Sequence, residues 1–262
     1  MKKFLKKHGL NFAYSLFAIM IMWLVWAIAC FAVKNEYVIP SIESTVAEFI
    51  SLIADSFFWQ SFLSSLLRTI FAFLISFILG GLFAVISTVF KPIGRLIKPI
   101  IAIFRTLPTM AVILLILIWS SPTFAPVIVA ILVLFPLIYS QFITGIESID
   151  EGVYKALKIF NVSKKDRIFK ILIPQVAPSV FLNVGANLSF SIKLIVSAEV
   201  MAYTFKGLGG MMKLANAYVN PARLMALTLV AVFSGIIIEL LFHLIFKNCF
   251  RWNKTEVIND KN

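Results

Sequence analysis

Apolar residues fill this chain in long runs, and short polar breaks divide them into stretches over residues 10–33, 62–90, 97–119, 124–143, 177–203 and 224–246. At about 1.5 Å of rise per residue, runs of this length cross the roughly 30 Å hydrocarbon core of a bilayer. The pattern predicts an all-α integral membrane protein with six transmembrane helices. Ahead of the second run, residues 34–60 are poor in basic side chains and place Val46, Phe49, Ile50 and Ile53 on one helical stripe, which predicts a helix lying along the outer surface. The second run repeats Ala72, Ser76, Gly80, Ala84 and Thr88 at every fourth position, a small-residue seam along which another helix backbone can approach closely. Pro108 sits inside the third run and Pro126 and Pro136 punctuate the fourth. A proline within a span frees a carbonyl that neighbouring helices must satisfy.

The fifth run is the least lipid-like. Asn183, Asn187 and Ser191 form one stripe, Lys193 and Ser197 a second, and Glu199 points to a third side. A helix polar on several faces belongs inside an assembly, against other helices or water. Arg105 lies about 12 Å from the inner end of the third run and Lys193 in the outer half of the fifth, so the two are expected to serve different places. In Arg105 a structural role competes with a pathway role, and in Lys193 an interhelical ion pair competes with an exposed place on a pathway. Glu199, six positions on and about 120° round the helix, is excluded as an intrahelical partner for Lys193.

Between the fourth and fifth runs, residues 145–174 form the one stretch of mixed charge, with Lys155, Lys158, Lys164, Lys165, Arg167 and Lys170. Val153, Ala156, Leu157 and Phe160 recur at i, i+3, i+4 and i+7, which predicts a short amphipathic helix with its lysines turned away from the stripe. Asn161 is suited to closing that helix, and Ser163 with Asp166 three positions on is a variant capping box opening a second one, expected to stop at Pro174.

Composition narrows the class. Hydrophobic residues make up 61% of the 262 and charged residues 14%, with a mean hydropathy of +0.98, more apolar surface than a soluble domain of this size can bury. The net charge of +12 would point to nucleic acid in a soluble protein; here it fits basic cytoplasmic loops and anionic lipid, and no nucleic-acid partner is expected. The basic residues of the N-terminus, of residues 91–98, of residues 147–173 and of the C-terminus fall on one side when six spans are drawn. The positive-inside rule then predicts a multi-pass protein of the cell membrane with both termini cytoplasmic. The whole chain, 1–262, reads as one transmembrane domain with its core over 60–246 and its cytoplasmic loop over 145–174. Cys30 and Cys249 are far apart, and His8 and His243 lack ligand-spaced companions, so neither a disulfide framework, a metal site nor a cofactor is expected. Glu239, His243 and Lys247 share an i, i+4, i+8 stripe, read as a polar strip near the inner interface rather than a proton relay.

The loop resembles the EAA motif of permease subunits of ATP-binding-cassette importers: Glu-Ala-Ala, three residues, Gly, nine residues, Ile-x-Leu-Pro. Here the frame is Lys155-Ala156-Leu157, three residues, Asn161, nine residues, Ile171-Leu172-Ile173-Pro174, with the spacing kept and four identities changed. Val38-Ile39-Pro40-Ser41, Ser64-Ser65-Leu66-Leu67-Arg68, Phe104-Arg105-Thr106-Leu107-Pro108 and Gly207-Leu208-Gly209 also resemble the nitrate, sulfonate and taurine branch, so the likeness covers about residues 38–212. It implies a type I importer fold with a coupling-helix loop. It also implies separate ATP-binding-cassette subunits docked on Val153, Lys155, Ala156, Leu157, Phe160 and Asn161, an extracytoplasmic substrate-binding protein, and a second permease copy. Arg105, Asn183, Asn187, Ser191, Lys193 and Glu199 become candidates for the translocation pathway. No phosphate-binding lysine loop, nucleophile constellation or paired-carboxylate cleft occurs, so the chain is expected to carry no enzymatic chemistry of its own. A secondary carrier or channel competes as a class, although such proteins often show two related halves and this chain shows none. A vitamin-type scaffold is disfavoured because Ala222-Arg223 is followed by Leu224 rather than glycine.

Overall fold

The computed structural model describes residues 2–160 and 162–249, without the side chains of 2–13, 15, 16, 154–156, 158 and 164. The described residues are helical, with no strand among them. In order they form α1 (Lys2–Val33), α2 (Ile42–Ala54), α3 (Ser56–Val89), α4 (Lys91–Thr106), α5 (Thr109–Trp119), α6 (Ala125–Glu147), α7 (Glu151–Ile159) and α8 (Lys164–Asp166). A π-helical turn (Arg167–Leu172) then leads into α9 (Ile173–Leu182), α10 (Val184–Ala202), α11 (Leu208–Ala217) and α12 (Pro221–Cys249).

Among the described residues four helices, α3, α6, α10 and α12, are long and apolar enough to cross a membrane, and α1 contributes a shorter apolar segment, Phe17–Val33. The third expected span is not one helix. Its two pieces, α4 and α5, meet at 98° and make a fifth crossing only if taken together. The break falls where Pro108 offers no N–H and its ring forces the preceding residue out of the helical region: Leu107 is extended at φ −65°, ψ 129°. By contrast Pro126 sits in the first turn of α6, where no donor is required, and the helix runs on through Pro136.

The small-residue seam packs as expected. Ala72, Ser76, Gly80 and Ala84 are buried in α3 against α6, and a Cβ on Gly80 would lie 2.9 Å from Ile138 Cγ2 and 3.0 Å from the Tyr139 nitrogen. In lipid such close approach, rather than expulsion of water, holds helices together, so a methyl here would force the two backbones apart. Leu134 and Ile138 of α6, Leu188 and Ile195 of α10 and Phe73 of α3 close the central cluster.

In α2, Val46, Ile50 and Ile53 of the apolar stripe are exposed, and the face bearing Thr45, Phe49 and Leu52 packs inward. Ser41 Oγ caps the helix by accepting from Ser44 N–H, and Asn220 at the start of α12 donates to Glu48 at 3.0 Å.

In the loop after α6, the second short helix does not stop at Pro174. It widens into the π-helical turn, where Ile173 N–H bonds the Ile168 carbonyl five residues back, and then continues as α9 with Pro174 in its first turn. The wider turn relieves the clash that a proline ring makes with the carbonyl four positions earlier.

Candidate functional site

The loop is rooted in the bundle. Leu172, Val176 and Val180 share a buried cluster with Ile146 and Tyr139 of α6, Ile97 and Ile101 of α4 and Ala84 of α3, so displacement of the loop reaches three long helices directly. In α7, Val153 and Leu157 are half-buried, whereas Ile159 and Phe160 stand about three-quarters exposed, at 76% and 77%. Val162 N–H closes the end of α7 on the Leu157 carbonyl at 3.2 Å. Asn161, expected to shape this turn, lies outside the described residues, as do the side chains of Lys155 and Ala156.

The N-cap bond of the expected box is present, and its two side chains bond each other directly. Asp166 N–H donates to Ser163 Oγ at 3.1 Å and the Ser163 hydroxyl donates to Asp166 Oδ2 at 2.9 Å. Lys170 adds an ion pair at 2.7 Å from one turn on. The hydrogen bond from Lys170, then that from Ser163, then the ammonium charge hold the Asp166 carboxyl below its ordinary pKa.

In α10 the amide stripe turns into the bundle. Asn187 and Gln141 of α6 form a reciprocal pair, with Gln141 Nε2 3.1 Å from Asn187 Oδ1 and Asn187 Nδ2 2.7 Å from Gln141 Oε1. Ser191 is fully buried and donates to the Asn187 carbonyl, and Asn183 donates to the Ser179 carbonyl at the joint between α9 and α10. Lys193 is on the opposite side. It is exposed together with Ala186, Phe190 and Ser197, at i−7, i−3 and i+4, and forms no ion pair with another described residue.

Glu199 sits near the C-terminal end of α10 with no exposed surface. Arg68 Nη1 of α3 lies 2.7 Å from Oε1, Ser65 Oγ lies 2.9 and 2.7 Å from the two carboxylate oxygens, and Gly209 N–H donates to Oε2 at 3.0 Å. Ser65 Oγ also accepts from Leu208 N–H at 2.9 Å, and Arg68 donates to the Lys206 carbonyl at 2.8 Å. A Cβ on Gly207 or Gly209 would come within 2.6 or 2.5 Å of the Glu199 side chain, so the glycines of this run are there to let the connection to α11 close over the carboxylate. Tyr203, left-handed at φ 53°, ψ 45°, ends α10 and turns the chain into that connection.

Arg105 occupies the last turn of α4, where a cation complements the carbonyl end of the helix dipole. It faces a cleft between α4 and α6, its Nη1 3.5 Å from Ser140 Oγ. Lys193 is not part of that cleft's lining. Glu239 and His243 are exposed on α12 and line a shallow recess with Ile236 and Leu240. No group of three His, Cys, Asp or Glu among the described residues is placed to hold a metal ion. The sequence reading missed Ser65, Arg68 and Gln141 as partners. The available signal was the cost of a lone Arg or Gln in an apolar run, which demands a partner from another helix.

Known proteins with this arrangement share the architecture. The fold resembles the membrane subunit in a crystal structure of a bacterial ABC transporter involved in the import of the acidic polysaccharide alginate, with a TM-score of 0.66 at 14% identity, over 89% of this chain and 98% of that one. In sequence the chain is 22% identical to the taurine transport system permease protein TauC of Escherichia coli, covering 74% of this chain and 72% of that protein. It is 29% identical to the nitrate import permease protein NrtB of Synechococcus elongatus, over 53% and 50%. Residues 76–253, which hold Gly80, the rooted loop and Glu199, match the family of binding-protein-dependent transport system inner membrane components, and to that family of ABC importer permeases this chain belongs.

Proposed function

We propose that the chain forms, with a second copy of itself, the pathway of an importer for a small solute bearing an oxyanion group. A substrate-binding protein delivers the solute on the outer side, and separate ATPase subunits dock on α7. The observation that carries this reading is Lys193, exposed on α10 without an ion-pair partner among the described residues, beside Phe190 and Ser197. A lysine in a span is too costly to leave facing lipid, and two copies related by a two-fold axis along the membrane normal would bring two such charges to one passage. Nitrate and taurine, named for the relatives, both carry oxyanion groups. Asn187 serves this pathway by seating α10 on α6, Asn183 by tying the joint between α9 and α10, Ser191 by closing on the Asn187 carbonyl, and Glu199 by fixing its outer end. Six crossings with both termini on the ATPase side complete the topology.

Coupling is the accessible test. Phe160 presents an apolar ring to solvent at the end of α7, with Val153 and Leu157 half-buried on the same helix. Replacing Phe160 by Asp should release the ATPase subunits and abolish uptake while membrane insertion persists. Normal ATPase recovery in pull-down together with normal uptake would refute the docking assignment.

A further inference from the structure

α4 has three faces. Gly94, Ile97 and Ile101 are buried against the neighbouring helices. Leu96, Ile100 and Ile103, with Leu107 just beyond the helix, are exposed and apolar. Lys91, Arg95, Lys98 and Arg105 recur at i, i+4, i+7 and i+14, all exposed, with no acidic residue in the helix. At about 100° per residue the basic and apolar faces divide the outward side of the helix between them. Lys98 and Arg105 open on a cleft of about 300 Å³ whose far wall includes Tyr139, Ser140, Thr144 and Glu147 of α6. Ser140 spends its own proton on the Pro136 carbonyl at 2.8 Å, so toward Arg105 it can only accept. Glu147 lies at the mouth, yet neither cation comes within ion-pair distance of it or of another described acid.

We propose that this cleft binds an anionic phospholipid of the leaflet on the side of the cytoplasmic loop, its phosphate held by Arg105 and Lys98 and its chains lying along Leu96, Ile100 and Ile103. Glu147 ends α6 and α7 begins four residues later, which puts the Lys98 end of the cleft at the membrane surface on the loop's side. The planar guanidinium of Arg105 matches two phosphate oxygens, and beyond Ser140 it makes no side-chain hydrogen bond or ion pair with another described residue. A helix with a basic face and, about 150° round it, an exposed apolar face is built to lie where headgroups meet acyl chains. The inference rests on membrane embedding alone and stands or falls apart from the solute and docking readings.

The test uses the whole transporter complex, purified from vesicles of equal phosphatidylglycerol and phosphatidylcholine and read by native mass spectrometry. The wild type should retain phosphatidylglycerol selectively. Lys98→Gln or Arg105→Gln should each lower that retention about five-fold and the double variant about thirty-fold, whereas Arg105→Lys recovers part of it and Lys193→Gln leaves it unchanged. In vesicles of phosphatidylcholine alone, wild type and Arg105→Gln should take up solute equally. Equal retention of the two lipids by the wild type, retention unaffected in the double variant, or loss of uptake by Arg105→Gln in phosphatidylcholine vesicles would each overturn the proposal, the last by making the cleft a solute site. Should the double variant fail to assemble, the wild type still decides: phosphatidylglycerol retention must fall with added NaCl, and salt-independent retention refutes the site.

Discussion

Arg68 and Glu199 are separated by 131 positions in the chain, and the guanidinium Nη1 of one lies 2.7 Å from Oε1 of the other, with the carboxylate wholly shielded. Removing one partner of a buried pair strands the other charge, which costs about 3–5 kcal/mol, whereas replacing both is far milder. Arg68→Gln should therefore lower the apparent Tm of the purified complex sharply, and Arg68→Gln with Glu199→Gln should recover at least half of the loss. A double variant no more stable than Arg68→Gln alone would show that the pair's charge is not what holds the N-terminal half of α3 to the C-terminal end of α10.

The Asn187–Gln141 pair offers a neutral counterpart. Asn187→Leu leaves the Gln141 amide without its partner in a buried place, at a cost of about 1–3 kcal/mol, while Asn187→Leu with Gln141→Leu removes both polar groups and should be close to neutral. Urea or thermal titration in detergent separates the two outcomes. If the single and double variants are equally unstable, packing volume rather than hydrogen bonding governs the α6–α10 contact.

Asp166 makes the cap of this loop pH-dependent. Its folded pKa lies below the ordinary value of 3.8, so the contribution is fully present above that value and fades as pH falls through the lower folded one. At neutral pH the cap is intact. Hydrogen exchange of the peptide spanning residues 163–172 should be faster in Asp166→Asn than in wild type at pH 7. That difference should disappear once the pH is brought below the folded pKa. Equal exchange at pH 7 would rule out a role for the carboxylate in ordering this turn.

Lys193→Gln isolates the pathway reading, because the side chain packs against no described acid whose loss of partner could confuse the result. Uptake of the cognate oxyanion should fall about ten-fold or more while assembly and basal ATPase activity persist, as expected when a single desolvated charge pair worth at least about 1.4 kcal/mol is lost. Unchanged uptake, or a cognate solute that proves cationic, would sink it.

Long-wavelength features of this protein are written in its sequence. The apolar runs announce the membrane and all-helical class, because only segments that satisfy their own backbone survive in hydrocarbon. The small-residue seam through Gly80 identifies a helix contact without saying with which helix. Ser163 and Asp166 form their cap because a cap is local, closed within one turn. What the sequence leaves open is whatever depends on partners far along the chain or on the sum of competing local costs. Pro108 could kink a span or break it, and the 98° turn follows because Leu107 settles in extended geometry and both halves find separate seats on α6. Pro174 reads as a stop, yet the π-helical turn absorbs it, since a packed continuation through Leu172, Val176 and Val180 outweighs one strained turn. Arg68, Gln141 and Glu199 show the same limit most plainly: the cost of burying each is legible in one dimension, but the partner that relieves it exists only when the helices are packed.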